Sequence, residues 1–172
     1  MRGWRFIVRG LALPAGLVLA VSSSWAGDLA PLSVRTLGGT SLSLPRDLPA
    51  PHTLVLLAFR HADQAGLAQW EASLGLSGNR QDWLEIPVVG VSNPIIRSMI
   101  VSGMKGKHPS AAERNHLAPL FGDSEAFARA FGTSGTQIAV LVVDREGHVL
   151  AHVEGAYEAT KAHILNEALI GQ

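Results

Sequence analysis

The densest run of chemistry-bearing side chains follows six apolar residues. Leu54-Val-Leu-Leu-Ala-Phe59 gives way to Arg60, His61, Asp63 and Gln64. A histidine beside a carboxylate can act as a general base or a metal ligand. Aspartate is also a favoured residue at a helix start, where its carboxylate takes up free N–H groups. We prefer this second account, because aspartate is favoured there and Gln64 continues the turn. The first leaves, as the alternative, a metal- or cofactor-dependent enzyme built on His61 and Asp63.

A second set is basic. Between Asn93 and Leu117 stand Arg97, Lys105, Lys107 and Arg114, with His108 and His116, against Glu113 as the single acid. Such a segment reads either as a solvated loop or as a surface for an anionic ligand or an acidic partner. Arginines at Arg97 and Arg114 favour the second reading, since guanidinium makes paired contacts to carboxylates and phosphates. Together with the loop Arg60, His61, Asp63 and Gln64, the residues Arg97, Lys105 and Arg114 form the candidate binding surface.

Other chemistries find little support. The seven histidines include His148 and His152, four apart in a strand-like stretch and so on one face. Four strand residues span about 13 Å, too far for one ion, and no local cluster reaches three ligands. No metal site and no cofactor are expected. Ser102-Gly103 and Ser134-Gly135 lack the pattern of a nucleophile elbow, and no phosphate-cradling glycine loop occurs. The chain has no cysteine, which removes thiol–disulfide exchange, thiol peroxidase chemistry and thiolate metal ligation. No catalytic residue is assigned.

The elements that position these residues follow from periodicity. Leu32–Leu37 and Thr40–Leu44 alternate around Gly38-Gly39, a two-residue hairpin signal. The uniformly apolar run Leu54–Phe59 suits a central strand covered on both faces. A helix from about Ala62 to Leu74 aligns Leu67, Trp70 and Leu74 on one stripe. Ile86–Val91 is a second buried strand, and Ser92-Asn93-Pro94 opens a helix by a capping side chain and a first-turn proline. That helix carries Ile95, Ile96, Met99 and Ile100 as an apolar face, with Met99 and Met104 as packing residues. A short strand over Leu117–Phe121 and a helix from Asp123 to Phe131 come next. A strand over Ile138–Val143 then turns at Asp144-Arg-Glu-Gly147 into an alternating edge strand, and Glu158–Leu169 is a closing helix. Two strand–helix–strand steps followed by a hairpin give an α/β fold with a mixed central sheet.

The N-terminus reads as an address. Arg2, Arg5 and Arg9 precede the apolar run Leu11–Val21, and Ser24-Trp25-Ala26 supplies small residues for cleavage after Ala26. A signal peptide over residues 1–26 and one domain over 27–172 are expected, with the protein periplasmic or secreted. An uncleaved N-terminal anchor is the lesser reading. Of the 14 basic residues three precede Gly27, leaving 11 against 14 acids. That balance argues against a nucleic-acid partner.

The N-terminal hairpin, the strand ending at Phe59 with a helix directly after it, and the late hairpin Val143-Asp-Arg-Glu-Gly-His-Val149 resemble the exported thioredoxin-like proteins. The resemblance implies a three-layer sandwich, a mixed sheet with an N-terminal β-hairpin and helices on both faces. Laid on that pattern, Gln64 and Leu67 fall where the two cysteines stand, and Ser134-Gly-Thr-Gln137 falls where a cis-proline faces them. Both halves of the redox site are missing. A narrower resemblance is to bacterial relatives of the mitochondrial ATP-synthase assembly factor family with a thioredoxin-like domain. It is carried by Phe59-Arg60, Trp70, Ile96-Arg97, Gly103-Met104-Lys105, Arg114, Leu120-Phe121-Gly-Asp123, Val140–Gly147 and Gly155. It implies a non-catalytic, chaperone-like binding or assembly role, with a protein partner in a membrane or periplasmic complex.

Overall fold

The computed structural model describes residues 28–77 and 79–171. The leader expected over residues 1–26 lies outside them. Two strands, β1 (Leu32–Arg35) and β2 (Ser41–Leu44), pair antiparallel as a separate hairpin. The main sheet has five strands in the order β5-β4-β3-β6-β7. These are β3 (His52–Ala58), β4 (Trp83–Val89), β5 (Leu120–Phe121), β6 (Ala139–Asp144) and β7 (Val149–Glu154). β3, β4 and β5 run parallel, while β6 is antiparallel to β3 and β7 antiparallel to β6. The parallel steps need long crossovers, which α1 (Gln64–Leu74), α2 (Pro94–Lys107) and α3 (Ala111–His116) supply. Two further helices, α4 (Ser124–Ala130) and α5 (Ala159–Ile170), complete the chain.

β3 is the axis of the molecule, and every residue after His52 is buried. Its side chains alternate between faces, so each face receives its own core. Val55 and Leu57 join Leu84, Ile86, Val88, Leu141, Val143 and Phe131 under the hairpin, whose Val34 and Leu44 close that face. Leu54, Leu56 and Ala58 join Trp83, Val140 and Val142, covered by Leu67 and Trp70 of α1 and by Ala162 and Leu165 of α5. Trp70 is fully buried, donates its indole N–H to the Gly155 carbonyl at 3.1 Å and meets Tyr157 edge-on at 5.1 Å. The sheet is thus the middle of three layers, as the sequence predicts.

Local chemistry sets the boundaries. Asn93 accepts the N–H groups of Ile95 and Ile96, and Asp123 those of Glu125 and Ala126, so both helices start on capping side chains. Gly75 closes α1 at φ +63°, a conformation that costs a side-chain-bearing residue dearly.

Three expectations need correction. The hairpin turn is a three-residue loop, Leu37–Gly39, because Thr36 still pairs with Thr40; Gly39 takes φ +98° and is the one residue there that must. Leu37 is buried, and its N–H bonds to the Leu117 carbonyl, so the tip of the hairpin is tied to the chain ahead of β5. The helix α2, expected to run out near Gly103 to Gly106, ends at Lys107, and the basic segment after it folds as a further helix, α3. The expected apolar face of α2 is not core. Ile95, Ile96 and Met99 are 71%, 45% and 69% exposed, and no residue of α2 is buried.

Candidate functional site

Immediately after β3 the chain makes one 3-10 turn, His61–Asp63, before α1 begins. Asp63 is buried, yet its carboxylate does not cap α1. It turns back instead. One oxygen accepts the Arg60 backbone N–H at 3.1 Å and the Arg60 Nε at 3.3 Å, and the other accepts Nη2 at 2.7 Å. The capping expected of Asp63 is therefore redirected, because an adjacent guanidinium can engage both oxygens while a helix N–H engages one. The contact raises the pKa of Arg60 further and holds its mostly exposed side chain in one orientation. His61 and Gln64 are exposed beside this clasp. With both Asp63 oxygens turned to Arg60, His61 lacks the carboxylate partner that base or ligand chemistry asks of it.

The loop before β6 packs against the same place. A Cβ on Gly66, in the first turn of α1, would come 2.5 Å from Ile138 Cδ1. One on Gly135 would come 2.8 Å from the Ala128 Cβ and 4.0 Å from Phe59 Cδ1. This loop is anchored from the other side by Glu154 at the end of β7. Its carboxylate accepts the Ser134 N–H and hydroxyl, and one oxygen lies 3.2 Å from His152 Nε2. Burial lowers the pKa of His152, opposed by Glu154. A cavity of about 510 Å3 lies against Gly132, Thr133, Ser134, His152 and Glu154. The Ser134 hydroxyl donates to a carboxylate rather than to an imidazole, so the histidine-activated arrangement of a nucleophilic serine is not formed.

The basic residues separate. Arg97, in the first turn of α2, donates Nε to the Val91 carbonyl at 2.9 Å and sets its guanidinium 5.6 Å from the centre of the Phe121 ring. It stands at the carboxyl ends of β4 and β5, next to the strand that delivers Arg60. From there α2 runs 14 residues, about 21 Å, towards the opposite end of the sheet. Lys107 and His108 accordingly share a cleft with Trp83, the first residue of β4. His116, at the end of α3, stacks on Trp83 with ring centres 4.6 Å apart and sets Nδ1 2.9 Å from its carbonyl. Arg60, His61, Asp63, Gln64 and Arg97 thus belong to the carboxyl end of the parallel strands, and Lys105 and Arg114 to the other.

That other end holds a feature the sequence reading missed. Glu85, third in β4, is buried under α1 and hydrogen-bonded to Glu71. Burial first, and then the Glu71 charge, push its pKa to about 8. The pair lines a cleft of about 370 Å3 with Leu76, Lys107, His108 and Glu113. The one available signal was a lone acid inside the strand Trp83-Leu-Glu-Ile-Pro-Val-Val89. Among the described residues no group of three or more histidines and acids is arranged to hold a metal ion. No helix of them is long and apolar enough to cross a membrane.

No family model matches the chain, and no curated protein matches it. Solved structures do. The chain is similar to the pneumococcal exposed lipoprotein thioredoxin of Streptococcus pneumoniae, at 16% identity over 80% of this chain and 99% of that one, TM-score 0.53. It is similar to the thioredoxin domain of a thiol-disulfide oxidoreductase from Bacteroides vulgatus, at 12% identity over 83% and 96%, TM-score 0.52. It is also similar to BsSco, of the Sco family of cytochrome c oxidase assembly proteins, at 13% identity over 86% and 95%, TM-score 0.54. At these identities the likeness establishes the fold, which is thioredoxin-like.

Proposed function

We propose that this chain is an exported, redox-inactive thioredoxin-like protein that works by binding, as an assembly or chaperone-like factor for a membrane or periplasmic protein complex. The observation that carries the reading is the loop after β3. It occupies the end of the sheet where the fold presents its functional groups, yet the chain has no cysteine. In place of a thiol it presents an arginine oriented by a buried aspartate. An ordered, outward-facing guanidinium is suited to a carboxylate or phosphate of a partner. Arg97, at the end of the neighbouring strand, extends the same positive surface. Assembly of cytochrome c oxidase is the work named for the Sco family, whose member BsSco is similar in fold.

Capture of partners from a membrane extract tests the reading. An Arg60→Ala/Arg97→Ala chain is expected to lose partners that the wild type retains, whereas Arg114→Ala, at the far end of the sheet, keeps them. Equal partner sets for wild type and the double variant overturn it, as does measurable insulin reduction or peroxide consumption.

A further inference from the structure

The helix α2 is an unusual covering element for a folded domain. It has 14 residues and none of them is buried. At 100° per residue, its half-buried side chains, Arg97, Ile100, Val101 and Met104, share the inward face. Ile95 and Met99 share the opposite one with Gly103 and Gly106, and Ile96 lies beside them. Lys105 and Lys107 flank that outward face on either side, and both are exposed. Among the described residues no ion pair joins either lysine to an acid, and Lys107 also borders the cleft lined by Glu71, Glu85 and Glu113. The outward face thus carries Ile95 and Met99 along its first half and Ser102, Gly103 and Gly106 along its second, with Ser98 and Lys105 on one border and Ile96 and Lys107 on the other. The chain from Asp28 onward carries 11 basic against 14 acidic residues, so this positive border stands out from an acidic whole.

We infer that the outward face of α2 docks on an anionic lipid headgroup layer, lying in the plane of the interface. Its composition favours lipid over a protein partner. Protein interface cores are depleted in lysine, and this face has two bordering lysines. A helix lying in a headgroup layer sinks an apolar face into the acyl boundary and lets flanking lysines reach up to the phosphates. Ile95, Ile96 and Met99 supply the first part, Lys105 and Lys107 the second. The length of α2 is too short to span. Ile95, Ile96 and Met99 lie within two turns of one helix, and Leu150 on β7 and Ile164 and Ile170 on α5 are the other large apolar side chains exposed among the described residues. This surface is distinct from the Arg60 loop, and the inference holds or fails independently of the partner-binding reading.

The absence of cysteine makes the test specific, since a single introduced thiol labels one site. The full chain carrying Met99→Cys and an environment-sensitive fluorophore is titrated with vesicles of phosphatidylcholine alone, or with about half phosphatidylglycerol. A parallel chain carries the label through Glu146→Cys, in the exposed turn before β7. The expected result is a blue shift at position 99 with the anionic vesicles, weakened by salt through screening, and none at position 146. Adding Lys105→Glu and Lys107→Glu weakens the apparent affinity by about thirtyfold or more, taking roughly fivefold per cation lost at the surface. Three results overturn the inference. One is no shift at position 99, which includes the case of a chain held to vesicles by its N-terminus alone. Another is an equal shift with neutral vesicles. The third is a shift that arises only with detergent-solubilised membrane proteins, which would mark a protein partner. Partner capture through Arg60 is unaffected by any of these outcomes, so the two readings fail separately.

Discussion

α1 and α2 leave the sheet at the carboxyl ends of neighbouring parallel strands, β3 and β4, and they are attached in opposite ways. α1 inserts a fully buried Trp70 and a buried Leu67 into the core, is preceded by the Arg60–Asp63 clasp and has Ile138 pressed against its first turn. α2 starts on a good cap, yet lies on the domain with a half-buried face and turns three large apolar side chains to solvent. The two helices differ in what remains available. Around α1 the strong contacts are made within the chain, leaving the outer side of Arg60 at one end and the Glu71–Glu85 cleft at the other. Around α2, apolar surface that folding would ordinarily bury is left uncovered among the described residues. In a fold whose usual chemistry is missing, functional capacity is to be sought where folding has left surface uncovered, as well as where the relatives keep their thiols.

The largest expected effect comes from the buried acid beneath α1. Glu85 titrates near pH 8 in the folded protein, against an ordinary carboxyl value of 4.5. The folded state therefore keeps a proton that the unfolded chain releases. The stability this group contributes is fully present below about pH 4.5 and is lost as pH rises through 8, on the order of 5 kcal/mol. Glu85→Gln keeps a hydrogen-bonding group beside Glu71 and removes the titration, so it is expected to stabilise the protein strongly at pH 9 and little at pH 5. Urea unfolding at both pH values measures this. A variant no more stable than wild type at pH 9 would show that water reaches Glu85 and that α1 is less tightly seated than described.

A smaller effect is expected from the clasp. Asp63→Ala removes a buried acceptor of three N–H groups while the exposed Arg60 regains water. The cost is about 1–2 kcal/mol, read as a lower urea midpoint with an unchanged slope. The smallest belongs to α2. Ile95→Ser combined with Met99→Ser changes stability by less than about 0.5 kcal/mol, because neither side chain is packed. A loss of 2 kcal/mol or more would erase the contrast between the helices and return α2 to the core.

Much of the frame was legible because it is written locally. Six apolar residues marked β3, Asn93 and Asp123 marked two helix starts, and Asp144-Arg-Glu-Gly147 marked the turn between β6 and β7. Tertiary direction was not legible in the same way. The sequence pattern shows that Ile95, Ile96, Met99 and Ile100 can share a helix side, but not that the domain offers Arg97, Ile100, Val101 and Met104 the inward seat. It shows four basic residues within one segment, but not that a 14-residue helix carries two of them to the far end of the sheet. Glu71 and Glu85 are separated by a helix–strand connection, and Ser134 and Glu154 by the whole β6–β7 hairpin. Such pairs leave no local signature. The site's outline was visible at β3, and its internal pairing was not, because Asp63 had two plausible uses and the nearest cation won.

The edges of the main sheet have one more consequence. On one side β5 has only two residues, and on the other β7 carries a register shift opposite Val142 and Val143 and meets Asp28 at its start. A bare strand invites a second copy to extend the sheet, and short or irregular strands discourage it. Crowded together, these molecules have little at either edge with which to fuse sheet to sheet. At the edges of the main sheet, association by strand addition is thereby discouraged.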